Sequence, residues 1–364
     1  MKTELLPSLN GWRAVSILLV LGGHTTAIKG LSVNHLHFWY SVFGGDIGVR
    51  FFFAISGLLI TWLMLKEETE FRRVNVKNFY IRRTLRIWPA YLTYVALLAV
   101  FQLSGIVSQH AYAWRGILTF TRNLYDTQLT FDPTGRHEDL LSFHFWSLSV
   151  EEQFYLFWPL LFCMLKMRWR ICFLVFTILF SLVFQTVYFL GFYSAHHVVL
   201  FQDVNTFNFL DCLAWGCLGA ILLLRWKDGL EKMYEKFGTV LFSVAVSMIA
   251  VPWAMRLGKG ISNMGFAILL LHSVVKPDWI FYRPLNFRWM KRVGVLSYSI
   301  YIWQQAIWIL WPKILLPVWF LWIPMVFGIA WISYEFLEKP FLALRAKFHD
   351  PHMTVPLAMS RHNL

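Results

Sequence analysis

Phe51-Phe52-Phe53-Ala54-Ile55-Ser56-Gly57-Leu58-Leu59-Ile60-Thr61-Trp62-Leu63-Met64-Leu65 contains no charge. The run sits inside a longer apolar segment, 42–65, and a helix needs only about 20 such residues to cross a bilayer. Segments of the same kind recur outward from it at 11–29, 84–104, 147–165, 171–192, 207–224, 237–255, 261–275, 293–311 and 315–337. The expected fold class is therefore all-α: a polytopic membrane protein with about ten transmembrane helices. Composition agrees. Only 15% of the 364 residues are charged and 58% are hydrophobic, whereas soluble domains carry about 25% charged residues. A soluble protein could not cover that much apolar surface, but a lipid-facing exterior has no need to. No Gly/Ser linker, low-complexity tract or repeat marks a second domain. The expected organisation is one transmembrane domain over 5–345 and a polar cytoplasmic tail over 346–364.

The net charge is +13. Its placement argues against nucleic acid, because the basic residues lie in short runs between apolar segments. With the N-terminus inside, 24 of the 33 Lys and Arg fall in inner segments and seven in outer ones. Lys66 to Arg86 and Lys276 to Arg292 are the richest inner runs. That alternation is the positive-inside pattern, and it predicts an N-in, C-in protein of the cytoplasmic membrane. Arg13 and His24 lie in the first segment, and no small-residue cleavage site follows, so a retained helix is expected rather than a signal peptide. Cys163, Cys172, Cys212 and Cys217 all lie in apolar segments without CxxC spacing, which suggests neither a disulfide framework nor a metal site. The longest outer loop, about 105–146, is polar and long enough to shape a binding surface.

Ionisable side chains inside a bilayer mark function by default. Arg13 and His24 are eleven residues apart, which is three helical turns plus about 20°, so they share a face about 16 Å apart along the axis. The plainer alternative is an arginine reaching the inner headgroups and a histidine bonded to a neighbouring helix. Arg82, Arg83 and Arg86 stand at the inner start of the third segment. A pair of guanidiniums three residues apart can grip phosphate bidentately, although ordinary positive-inside charge would also put arginine there. Ser149 and Glu152 have capping-box spacing. That spacing explains Glu152 but leaves Glu151 as a candidate to orient or charge-balance an imidazole. Asp211, inside the sixth segment, needs a partner. Arg50 and Asp46 could pair with each other or with Glu151, and Ser56-Gly57 reads as a close helix-packing point. Trp146, Tyr298, Tyr301, Trp303 and Gln304 are cavity or interface candidates. His196 and His197 read as solvated loop residues. There is no GxSxG elbow, no HExxH and no phosphate loop.

Taken together, the chain resembles the acyltransferase-3 family of bacterial membrane O-acyltransferases. Leu9-Asn10-Gly11-Trp12-Arg13 running to His24 is similar to its first helix, and Gly48 to Thr61 to its second. Phe79-Tyr80-Ile81-Arg82-Arg83-Thr84-Leu85-Arg86-Ile87-Trp88-Pro89 is similar to the start of its third, and Trp146 through Pro159 to its fourth. Leu296 to Trp303 and Ser333 to Phe341 are similar to its last two. Two departures stand out: the family often has Asp where Asn10 stands and His where Gln304 stands. No esterase-like domain is evident, so the standalone form is expected.

The resemblance implies transfer of an acyl group, commonly acetyl, from acyl-CoA to a hydroxyl of a carbohydrate or glycan precursor. In such proteins the acceptors include lipopolysaccharide O-antigen, exopolysaccharide, Nod factors and macrolides. Arg13, Arg83 and Arg86 would hold the phosphates of acyl-CoA, a co-substrate, with no resident cofactor. His24 would act as general base or acyl carrier, with Glu151 as its catalytic partner. Arg50, Asp211, Trp146 and Tyr298 would line the pocket. A competing class is a transporter or flippase of a lipid-linked sugar, but no inverted repeat or paired broken helices support it. A scaffold would leave Arg13, His24 and Asp211 without a purpose.

Overall fold

The computed structural model describes residues 6–26, 44–124, 139–195, 204–254, 259–314, 321–345 and 348. Among these every regular element is helical, and no strand occurs. The helices are α1 (Leu9–Thr26), α2 (Gly45–Phe71), α3 (Val76–Leu103), α4 (Ala111–Thr119), α5 (Leu140–Phe143), α6 (Phe145–Met164), α7 (Met167–Ala195), α8 (Leu210–Arg225), α9 (Lys227–Ala254), α10 (Gly260–Val275), α11 (Arg288–Ile314), α12 (Trp322–Ser333) and α13 (Lys339–Arg345). A π-turn, Tyr334–Glu338, joins the last two. Four helices have described stretches long and apolar enough to cross a membrane: Gly45–Phe71, Val76–Leu103, Met167–Val187 and Lys227–Pro252.

Several helices run past the apolar segment that predicts them. The 42–65 segment gives way to Lys66-Glu67-Glu68-Thr69-Glu70-Phe71, polar but built largely of good helix formers, and α2 continues to Phe71. Arg170 holds that extension by two bonds to Glu68, at 2.6 and 2.7 Å. Glu67 accepts from the Asn75 amide at 2.8 Å, and Arg82 pairs with Glu67 at 3.2 Å. Arg72 ends the helix in the left-handed conformation, and the Asn75 side chain caps α3 by accepting from Asn78 N at 3.0 Å. Hydropathy marks where lipid would begin, whereas propensity and capping mark where the helix begins.

In packing, α2 is central. It lies against α1 on one side and α8 on the other; α1 lies in turn against α11, and α8 against α7 and α10. The α2–α8 crossing is close because glycines meet there. A β-carbon on Gly57 would fall 2.1 Å from the Leu213 carbonyl oxygen, and one on Gly216 2.1 Å from that of Ala54. This bears out the packing role of Gly57. The outermost helices behave differently. On α7 the side chains of Val175, Phe176, Leu179, Phe180, Val183 and Val187 are exposed. Such a face is unsupportable in water and natural in lipid.

The polar stretch after α3 folds back onto the bundle. Tyr91 Oη donates to the Ile117 carbonyl at 2.6 Å and Tyr94 Oη to that of Leu141 at 2.7 Å. Gln153 Nε2 donates to the Phe120 carbonyl at 2.9 Å. Residues 125–138, with Arg136, lie outside the described residues, as do His196, His197 and all of the 346–364 tail except Phe348.

A candidate active site along the first helix

The sequence-selected residues gather into three groups. The first surrounds Arg13. Arg13, Arg83 and Arg86 are within electrostatic range of one another and of Glu151 and Tyr155. Arg83 lies over the Tyr155 ring at 3.5 Å, 3.8 Å from Glu151 and 4.0 Å from Glu152. Among the described residues, neither the Arg13 nor the Arg86 guanidinium makes a hydrogen bond, and Nε of both Arg13 and Arg83 is buried without one. Each guanidinium has five N–H donors and no acceptor. Three of them side by side, with donors unspent, carry the charge and the hydrogen-bond donors that a polyvalent anion would require.

Arg82, the third basic residue of the motif, is committed elsewhere, to Glu67 and to the Phe348 carbonyl at 2.9 Å. Arg345, which sequence reading left in the last residues of the domain without a role, joins the cluster instead. Burial, and then the charges of Arg86, Arg82 and Arg83, pull its guanidinium down to about 9. A bound anion would relieve that crowding. Glu338 balances part of it. The π-turn brings its buried carboxylate to the hydroxyls of Ser299 and Ser333, within electrostatic range of Arg86. Tyr298 belongs here too. Its hydroxyl donates to the Ile87 carbonyl at 2.6 Å, one residue from Arg86.

The expectation that Glu151 orients an imidazole is not met. Its carboxylate accepts from Tyr155 Oη at 2.5 Å and from Ser56 Oγ, and pairs with Arg83. Ser56 thus packs at the crossing and also holds a carboxylate. The capping box fails as well. Helix α6 starts at Phe145, so Ser149 is already inside it and donates to the Phe145 carbonyl at 2.9 Å. Glu152 is left facing Arg83, with one buried oxygen that makes no hydrogen bond.

The second group is at His24. Its Nδ1 lies 2.5 Å from Gln304 Oε1, and its ring stacks on Trp308 at 5.2 Å and 24°. No described residue bonds Nε2. Just below on α11, Tyr301 Oη donates to the His144 carbonyl at 2.5 Å and shares a bond of 2.5 Å with Ser147 Oγ. The buried His144 ring is boxed by Tyr94, Phe145 and Tyr301, and neither of its nitrogens has a hydrogen-bond partner among the described residues. Sequence reading missed His144. The signal was present, a histidine next to Phe145-Trp146-Ser147, but it fell at the edge of a predicted loop.

The third group holds Arg50, Asp211 and Trp146. Arg50 pairs with Asp46 at 3.1 Å, donates to the Asn208 carbonyl at 3.3 Å, and lies over Phe209 at 4.5 Å. Asp46 also takes Lys259 at 2.5 Å. Asp211 finds neutral partners: Asn263 Nδ2 at 2.7 Å, Gln185 Nε2 at 3.0 Å and Ser181 Oγ at 3.2 Å. Trp146 packs on Phe209 at 5.0 Å and on Phe53 at 6.4 Å. The charged groups of this network are all paired, with Asn263 Oδ1 left buried without a hydrogen bond, and the dense pairing suits a structural joint between α2 and α8. A separate cavity of about 400 Å³ lies between α9 and the end of α10, lined by Tyr234, Lys236, His272, Lys276 and Trp279 among others. No group of three or more His, Cys, Asp or Glu among the described residues is placed to hold a metal ion.

Comparison with known proteins bears on the whole arrangement. The O-acetyltransferase OatA of Staphylococcus aureus strain NCTC 8325 is 27% identical over 359 residues, covering 92% of this chain and 57% of its own length. OatA of Staphylococcus aureus strain COL matches with the same figures. The chain therefore spans a little over half the length of these curated relatives. No solved structure matches it. A family model described as an acyltransferase domain matches residues 6–335, a range holding Arg13, His24, Arg83, Arg86, Glu151, Gln304 and the start of the π-turn. By that match, across nearly its whole length, the chain belongs to the acyltransferase-3 family.

Proposed function

We propose that this protein is a membrane-bound O-acyltransferase that moves an acyl group, acetyl by preference, from acyl-CoA to a hydroxyl of a carbohydrate or lipid-linked glycan. The observation that carries the reading is the division of labour along α1. At one end Arg13, Arg83 and Arg86 present unspent donors; eleven residues on, His24 presents an Nε2 that no described residue bonds. Acyl-CoA has matching parts, with anionic phosphates separated from its thioester by the extended pantetheine arm. Phosphates at the arginines would direct the thioester up the bundle toward His24, over about 16 Å of helix. Glu151 and Glu152 balance the arginines until the donor displaces them.

In the transfer, the acceptor oxygen bonds to the thioester carbonyl carbon while His24 Nε2 takes the hydroxyl proton. The carbon–sulfur bond then breaks, and CoA leaves as a thiolate that the imidazolium can protonate. A two-step route, in which His24 Nε2 first accepts the acyl group and then yields it to the acceptor, uses the same geometry. Ten membrane spans with both ends inside would put the arginines on the cytoplasmic side, where acyl-CoA is made, and the long 105–146 stretch outside. Similarity to staphylococcal O-acetyltransferases supports acetyl transfer and a bacterial source, and the apolar helices support a membrane location.

The test is transfer of radiolabelled acetyl from acetyl-CoA to membrane glycan in vesicles, wild type against His24→Ala at matched expression. Label entering glycan only with wild type is expected. Equal label in both would remove His24 from the chemistry. No label with either, together with no CoA binding by the purified protein, would overturn the enzyme reading.

A further inference from the structure

Gln304 and Gln305 are both buried on α11, and their hydrogen bonds run in one direction. Gln305 Nε2 donates to the Leu140 carbonyl at 2.9 Å, a group that can only accept. The oxygen of Gln305 therefore faces the other way, and Gln304 Nε2 lies 3.5 Å from it. With its amide nitrogen turned to Gln305, Gln304 presents oxygen to His24, 2.5 Å from Nδ1. An amide oxygen only accepts, so Nδ1 must carry the hydrogen. A neutral imidazole has one N–H, which leaves the lone pair on Nε2.

We propose that Gln304 is a positioning residue that holds His24 as the Nδ1–H tautomer, so that Nε2 is the basic nitrogen offered to the substrate. This rests on the reading of His24 as the catalytic group. Trp308, four residues further along α11, stacks on the imidazole face at 24°, so one helix fixes both the edge and the plane of the ring. Free histidine favours the opposite tautomer, and a bond to the distal nitrogen is the usual means of reversing that preference. The identity of the residue matters. A histidine at this place could offer either a donor or an acceptor. A glutamine whose nitrogen is committed to Gln305 offers only the acceptor.

The experiment uses the full chain in lipid nanodiscs, with ¹⁵N-histidine and alkaline buffer to keep the ring neutral. The His24 signals are those lost in His24→Ala. Wild type should show Nδ1 protonated and Nε2 bare. Gln304→Leu, similar in size and without an acceptor, should lose that signature, and kcat should fall by about 10- to 100-fold, part of the 10²–10⁴ that general-base catalysis contributes. Its KM for acetyl-CoA should not change. Gln304→Glu, which again offers only acceptor oxygens, should restore the signature and much of the rate. A bare Nδ1 in wild type, or Gln304→Leu with unchanged tautomer and kcat, would overturn the proposal. Full transfer by His24→Ala would overturn the catalytic reading instead, while the ring signals still decide the tautomer.

Discussion

Replacing Gly294 by alanine tests whether the seating of α1 matters to function, and the structure sets the size of the disturbance. A β-carbon at position 294 would lie 1.8 Å from the backbone oxygen of Asn10 and 2.6 Å from its carbonyl carbon. Carbon and carbonyl oxygen normally approach to about 3.3 Å, so the contact is about 1.5 Å too short. The obstruction is backbone within α1, which no side-chain rotation relieves. Helices α1 and α11 must therefore part where they meet. One carries Arg13 and His24, the other Gln304 and Trp308. A misplacement of about 1 Å can cost roughly 10²-fold in rate, and overpacking of this kind costs about 1–3 kcal/mol. The expected result is a fall in acetyl transfer of about 100-fold and a lower unfolding temperature in detergent. Gly328→Ala on α12 is the control, since nothing lies within 4 Å of its new methyl. If Gly294→Ala transfers acetyl and unfolds as wild type does, the α1–α11 contact is not what holds the imidazole in register.

Other outcomes follow from the same geometry. Arg83→Ala should raise the KM for acetyl-CoA by about 10- to 100-fold, from the roughly 1.5–3 kcal/mol of a charge-assisted bond. With acetyl-pantetheine, which lacks the nucleotide phosphates, the same variant should show little change, and an equal loss with both donors would place Arg83 elsewhere. Raising salt from about 0.1 to 1 M shortens the screening length from about 10 to 3 Å. The KM for acetyl-CoA should then rise several-fold, as titration of initial rates would show. Asp211→Ala strands the buried Asn263 amide, whereas Ser181 keeps the Phe207 carbonyl and Gln185 keeps that of Asn208, and the orphaned donor and the lost carboxylate volume cost about 1–3 kcal/mol. Thermal unfolding should fall sharply while activity per folded molecule holds, and a stable but inactive variant would return Asp211 to the active site.

What could be read from the sequence, and what could not, divides by the cost of the side chain. Arg13, His24, Arg50 and Asp211 stand out because an ionisable group in an apolar segment is expensive; Arg50 and Asp211 are buried and paired in the fold, His24 bonds Gln304, and Arg13 is half-buried beside Arg83 and Arg86. Gln304 is neutral. In Tyr301-Ile302-Trp303-Gln304-Gln305 it looks like an ordinary polar residue near a membrane interface, and only the register of α1 against α11 places it on His24. Register depends on close contacts such as Gly294 against Asn10, which no single segment announces. Arg345 was hidden for a related reason, since the π-turn sets where α13 returns to α3. Glu151 shows the converse error. Its charge was legible, but its partner was not, and it balances Arg83 where an imidazole was expected.

That displacement changes how the proposed chemistry must work. A carboxylate beside His24 would stabilise an imidazolium and make it slow to release its proton. A neutral amide oxygen fixes the ring without adding charge. The carboxylates are spent instead at the far end of α1, where Glu151, Glu152 and Glu338 hold the arginines in place until a more highly charged donor arrives. Exchanging the two environments should therefore fail in a particular way. Gln304→Glu should keep the tautomer and much of the rate, because the ring stays correctly oriented, but fall short of wild type, because the added charge holds the proton. Glu151→Gln should lower the KM for acetyl-CoA, because a competing anion is gone, and should also destabilise the empty protein, because Arg83 loses the nearer of its two carboxylates. Steady-state rates and thermal unfolding with and without CoA measure both effects. If Glu151→Gln instead abolishes kcat at an unchanged KM, the carboxylate acts in the chemical step, and the separation of anion holding from proton transfer along α1 is wrong.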